Sequence, residues 1–194
     1  MTREEWLGAL VTALRPMFAA AGSPIPAKVR VSCGWPSCGG TSMSRKAIGQ
    51  AWSPKCSADG THETFLSPVL GTAKDVGHVL VHELAHHAVG TDAGHKGPFR
   101  KLAMALGLAG KMTATVAGKD LAERLNALCA PLGDYPHAAL DPKAGPKKQG
   151  TRQLKVSCAD CGCVVRMTRK WLDEQGAPTC GCGGAMHAEG AEKD

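Results

Sequence analysis

A chain of 194 residues with 43% hydrophobic content can bury a real core, and at 4% aromatics that core must be largely aliphatic. No stretch approaches the ~20 consecutive apolar residues of a membrane-spanning helix. The net charge of +6 is localised, because eight Lys and Arg face two Asp between Asp141 and Lys170 and that surplus equals the charge of the whole chain.

The first residues, MTREEWLGALVTALRPMF, carry two acids and no basic leader, so they do not read as a secretory signal. The expected setting is cytoplasmic, where nine cysteines point to metal ligation or free thiols rather than to disulfides. Trp6, Leu7, Leu10, Val11, Leu14 and Phe18 recur at helical spacing over 4–20, and the Gly22–Pro26 stretch ends that helix. Three strand-like segments follow at Val29–Cys33, about Ala47–Trp52 and Thr64–Ser67, separated by turns rich in Gly, Pro and Ser. A helix is expected over Ala73–Val89, with Asp75 in its first turn and Gly90 as its stop. Beyond the loop Thr91–Gly97, a helix carries Phe99, Leu102, Ala103 and Leu106, and another near Lys119–Leu132 carries Leu121, Leu125 and Leu128. The text from 133 to 153 turns to Pro, Gly and Lys, a linker composition. The chain thus divides into a domain over 1–132, a basic linker over 133–153 and a cysteine-dense module over 154–194. The order of elements predicts an α+β domain with an appended zinc ribbon.

The run His82-Glu83-Leu84-Ala85-His86-His87 lies inside the predicted helix. On a helix, His82 and His86 project from one face about one turn apart and can both reach a single zinc ion at about 2.0–2.1 Å, with Glu83 beside the open side of the metal. Zinc held in this way can bring the pKa of its water down to about 7, and Glu83 can act as the general base that takes the proton and passes it to the leaving amine. A catalytic zinc needs a third protein ligand. His95 is the leading candidate, because Gly94 and Gly97 give its loop the freedom to fold back on the metal. Asp92 is the competitor: it has the metzincin offset from His86, but Val89 stands where that arrangement needs glycine. His87 points about 100° away from His86 and reads as an outer or surface group. His78, one turn before His82, reads as a cap or core-edge residue. Tyr135, the sole tyrosine, is either a carbonyl-polarising phenol or core packing, with packing the default. The edge of the small sheet could hold an extended peptide by strand addition.

In the tail, Cys158, Cys161, Cys180 and Cys182 form a C-x₂-C and a C-x-C pair, the pattern of a four-thiolate structural zinc on two knuckles. Cys163 competes with Cys161, which makes the better knuckle turn. So short a tail has too little apolar mass to fold without metal. Cys33, Cys38 and Cys56 lack a fourth ligand and read as ordinary thiols, and Cys129 reads as core. Lys147, Lys148, Arg152, Arg166, Arg169 and Lys170 are candidate nucleic-acid contacts, with a linker kept soluble by its lysines as the plain alternative.

Taken together, His82–His86, the element Gly94-His95-Lys96-Gly97-Pro98-Phe99 and the terminal cysteine module resemble the SprT-like metallopeptidases, the group that includes Spartan proteases, in their compact phage and bacterial form. In that family the third ligand is the histidine of a Gly-His-Gly-x-x-Phe-like element, which matches His95, although Lys96 is inserted before the glycine here. The resemblance implies a minimal zincin, with helices packed on a small three-stranded antiparallel sheet, and one catalytic and one structural Zn²⁺. It also implies a zinc endopeptidase that acts on proteins or peptides, with DNA-bound proteins as the substrate of Spartan-type relatives; separately from the resemblance, a monomer is expected. Two other functions compete. One is a non-enzymatic, nucleic-acid-associated zinc-binding adaptor that relies on the ribbon and linker. The other is a metal-dependent hydrolase of a different amide bond, such as one in peptidoglycan, against which the lack of an export signal argues.

Overall fold

The first helix, α1 (Arg3–Ala20), starts at a capping box: Glu5 N–H donates to Thr2 Oγ1 at 3.2 Å, and Thr2 N–H donates to Glu5 Oε2 at 2.6 Å. Its periodic face of Trp6, Leu7, Leu10, Val11, Leu14, Met17 and Phe18 is buried. The computed structural model describes residues 1–38, 47–145 and 153–188. The chain divides into two units, Met1–Ala144 and Gly145–Asp194.

In the first unit, β1 (Val29–Cys33), β2 (Gly49–Trp52) and β3 (His62–Leu66) form a sheet in the order β1-β3-β2. Only one of its two pairings is antiparallel. Strand β2 runs against β3 with Ala51 opposite Thr64, whereas β1 runs parallel to β3 with Val31 opposite Thr64. The sheet is therefore mixed, which corrects the antiparallel expectation. An all-antiparallel meander would need β2 beside β1. Here β3 inserts between them. Arg30 of β1 ties the paired strand and the turn before it, reaching Glu63 at 2.7 Å and Asp59 at 2.8 Å. Among the described residues, strand β2 lies at the sheet edge, with β3 as its one neighbour.

Helix α2 (Ala73–Val89) is capped by Thr72, whose Oγ1 accepts from Asp75 N–H at 3.1 Å, and it stops at Gly90, where φ is +89°. Its Val76, Val79, Leu80 and Leu84 join α1 in the core, and His87 binds it to the sheet through Thr64 Oγ1 at 2.7 Å. Helix α3 (Gly97–Ala105) follows, and then a hairpin of β4 (Leu108–Lys111) and β5 (Ala114–Ala117) that the sequence reading passes over. Ala, Gly and Lys of β4 are poor strand formers, so local propensity hides the first strand of this hairpin. Helix α4 (Lys119–Cys129) gives way at Ala130 to a 3-10 turn containing Pro131, which shortens the helix expected to run to Leu132.

The segment after 132 does not leave the first unit at once. Trp6 Nε1–H donates to Gly133 O at 3.1 Å, and the Tyr135 ring stands edge-on to Trp6 with centroids 5.1 Å apart. Leu140 N–H and His137 Nε2 both meet Pro68 O at 2.8 Å. Docking of this aromatic and histidine pair carries the unit through Ala144.

The second unit is built from β6 (Gln153–Cys158), β7 (Val164–Thr168), a short helix α5 (Arg169–Gln175) and β8 (Met186–Ala188), with antiparallel strands in the order β7-β6-β8. Its buried apolar cluster consists of Val156, Cys158, Cys180 and Met186.

Candidate metal centre

Helix α2 presents His82 and His86 one turn apart, and the chain beyond Gly90 brings a third imidazole to them. A 3-10 turn at Thr91–Ala93 ends at Gly94, whose φ of +55° and ψ of −141° suit glycine and strain any other residue. His95 then folds back, with its Nε2 atom 3.2 Å from His82 Nε2 and 3.2 Å from His86 Nε2. The ligand atoms of all three lie within 4.8 Å of one another. Nitrogens bound to one ion at about 2.0–2.1 Å in a tetrahedron stand about 3.3–3.4 Å apart, so this spacing fits a shared ion. Asp92 is exposed on the 3-10 turn and stands outside the group.

The floor of the group is Phe99, fully buried at the start of α3. Its ring stacks on His86 with centroids 4.2 Å apart and meets His82 at 4.9 Å and His95 at 5.0 Å. Burial lowers the pKa of each histidine. Helped by neighbouring histidines, it takes His82 to about 3 and His86 to about 4, and His95 is lowered by burial alone. All three imidazoles are thus neutral at pH 7, the form that ligates a metal.

Glu83 is 7% exposed and faces the same cleft. Burial pushes its carboxyl up to about 8, opposed by a backbone hydrogen bond from Ala51. The cleft encloses about 460 Å³ between Ala47–Ala51 on one side and Thr113–Thr115 on the other, with His82, Glu83, His86 and His95 among its lining residues. Gly49 is the point of closest approach, because a β-carbon there would lie 2.6 Å from Val79 Cγ1 and collide with Glu83 Oε1. A glycine inside a strand can signal such an approach. Thr115, which the sequence reading missed, lies on β5 with Oγ1 2.8 Å from His82 Nδ1, and no local signal marks it.

The remaining histidines and Tyr135 stand outside the three-histidine group. His78 lines the cleft and meets its own helix at Lys74 O, 3.2 Å away. His87 is buried rather than on the surface, and its Nδ1 lies 3.3 Å from His62 Nδ1. Tyr135 is 5% exposed against Trp6 and does not line the cleft.

In the second unit, the four sulfurs of Cys158, Cys161, Cys180 and Cys182 gather within 4.8 Å of one another. Two of their pairs stand at 3.6 Å (Cys158–Cys182) and 3.4 Å (Cys161–Cys180), near the edge of about 3.8 Å that four thiolates around one ion adopt. The Gly184 N–H and the neighbouring thiols pull Cys182 down to about 7. Cys163 contributes its carbonyl to the turn, accepting from Cys158 N–H at 2.9 Å, and its thiol is exposed outside the group. Cys129 is buried in the core, and Cys33 lies beside Arg3 Nη1 at 3.6 Å. Cys38 and Cys56 are exposed.

Of the basic candidates, Arg166 is exposed on β7, and Arg169 and Lys170 are exposed at the start of α5. Lys170 Nζ sits 5.3 Å from the ring of Trp171, which is 52% exposed. Lys147, Lys148 and Arg152 lie outside the described residues.

No family model matches the chain, and no curated protein or solved structure matches it.

Proposed function

We propose that this chain is a zinc-dependent metallopeptidase of the SprT-like kind, a minimal zincin followed by a structural zinc ribbon. The observation that carries this reading is the convergence of His82, His86 and His95 Nε2 atoms at 3.2 Å, in a cleft that also holds the buried carboxylate of Glu83. Three neutral imidazoles that leave a fourth position free are the ligand set of a catalytic zinc, and four gathered thiols are that of a structural one. A zinc ion held by His82, His86 and His95 would supply Lewis acidity toward a scissile carbonyl and acidify a bound water.

The chain's own residues would do the rest. Glu83, which burial holds protonated in the metal-free cleft, would be ionised by a cation bound beside it and would then accept a proton from the attacking water and return it to the departing amine. Phe99 keeps water away from the underside of the imidazoles. The edge of β2, which pairs only with β3 among the described residues and lines the cleft with the residues just before it, offers backbone groups to an extended peptide. Glu83→Gln should retain zinc and fold while hydrolysis of an unstructured protein substrate disappears. Unchanged cleavage by that variant would sink the reading.

A second reading, the nucleic-acid-associated adaptor, is favoured by one observation, the exposed Trp171 with Lys170 and Arg169 beside it on α5. An exposed indole with flanking cations suits base stacking and phosphate contact. In this reading, salt-sensitive binding of single-stranded DNA survives Glu83→Gln and weakens in Trp171→Ala. Absence of binding at low salt would remove it.

A further inference from the structure

We infer that Thr115 is a positioning residue, whose hydroxyl oxygen holds His82 in the tautomer and orientation that aim Nε2 at the other two histidines. This rests on the metallopeptidase reading and extends it to a part of the fold with no motif. An imidazole that ligates through Nε2 carries its proton on Nδ1, and a buried N–H needs an acceptor. His82 Nδ1 lies 2.8 Å from Thr115 Oγ1, within hydrogen-bonding distance.

The hairpin dictates this placement. Along β5 burial alternates, with Ala114 and Val116 exposed and Thr115 8% exposed, so the pleat turns Thr115 toward α2. Its partner across the hairpin is Gly110, which has no side chain to compete for the space.

The three imidazoles are held by three different devices. His86 is stacked on Phe99 with centroids 4.2 Å apart, and His95 is set by the turn at Gly94. His82 has the hydroxyl. A hydroxyl orients the ring without adding charge, which leaves Glu83 the one acidic side chain among the described residues lining the cleft.

The test is metal affinity at the three-histidine site, read by cobalt absorption and by zinc competition with a chelator, with the four-cysteine site of the same chain as internal reference. The variants are Thr115→Val, which keeps shape and removes the acceptor, and Thr115→Ser, which restores it. Loss of an outer hydrogen-bond partner to a ligating histidine costs about 10–100-fold in metal affinity. Thr115→Val should therefore weaken the histidine site by about that factor and leave the cysteine site unchanged, and Thr115→Ser should recover most of the loss. Thr115→Ala takes the place of the valine variant if that one loses its helical circular dichroism. Wild-type affinity in Thr115→Val, or a loss that serine does not recover, would overturn the inference. If the wild type binds no metal through its histidines, both this inference and the metallopeptidase reading fall. If it binds metal and Glu83→Gln abolishes hydrolysis while Thr115→Val binds as the wild type does, only the role of Thr115 falls.

Discussion

Gly49 and Glu83 stand so close that the strand and the carboxylate exclude any side chain between them: a β-carbon on Gly49 would collide with Glu83 Oε1 and lie 2.6 Å from Val79 Cγ1. Strand β2 is thereby both the wall of the cleft and the lid over its candidate base. Gly49→Ala should displace Glu83 while His82, His86 and His95 keep their metal. A misplacement of about 1 Å can cost about 10²-fold in rate, so kcat should fall by about that much with zinc content unchanged. Wild-type turnover in Gly49→Ala would show that the carboxylate does not need its present position.

Acid should destabilise the metal-free protein partly through His87. Burial, followed by His62 and His86, depresses its pKa to about 4 from an ordinary value near 6.5. The folded state thus keeps His87 neutral while the unfolded chain protonates it first. The stability it contributes is complete above about pH 6.5 and is lost as pH falls from there toward 4. His82 and His86 act in the same direction. Urea midpoints of the metal-free protein at pH 7.5 and pH 5 should therefore differ less in His87→Gln than in the wild type. An equal drop in the two would contradict the burial of a neutral His87.

Tyr135 should matter to the core and not to hydrolysis. It packs on Trp6 with centroids 5.1 Å apart and does not line the cleft. Tyr135→Phe should leave kcat/KM unchanged, whereas Tyr135→Ala should cost about 3 kcal/mol of stability, the low end for an aromatic truncation in a core. A large loss of kcat in Tyr135→Phe, with stability unaltered, would place the phenol in the reaction.

Metal removal should act unequally on the two units. Among the described residues of the second unit, the buried apolar cluster is Val156, Cys158, Cys180 and Met186, too little to fold against chain entropy without a bound ion. The first unit has an extensive core including Trp6, Phe18, Leu80, Leu84 and Phe99. After chelation, amide exchange should become fast throughout 153–188 and stay slow in α1 and α2. Retained protection of β6 and β7 in the chelated protein would contradict a metal-dependent fold.

The parts of the site that the sequence announces are those set by local rules. Helix α2 is legible because its apolar spacing, the acid in its first turn and its terminal glycine agree, and the two histidines follow from the helical repeat. His95 is legible because glycines flank it. The parallel pairing of β1 with β3 is a tertiary choice that five residues such as Val29–Cys33 do not encode. The β4–β5 hairpin carries Thr115 into the site: Ala, Gly and Lys of β4 have low strand propensity, and Thr115 and Val116 of β5 are good strand formers in too short a run to stand out. The stretch after 132 has a linker's composition, yet Tyr135 and His137 dock it against Trp6 and Pro68, since one buried aromatic outweighs the preference of neighbouring glycines and prolines for turns.

The most direct test of the central claim is the number of zinc ions per chain in the wild type and in His95→Ala. Two are expected in the wild type, one in the histidine group and one in the cysteine group, falling to about one in the variant. A single ion in both proteins, lost when Cys158 is replaced by serine, would mean that His82, His86 and His95 hold no metal.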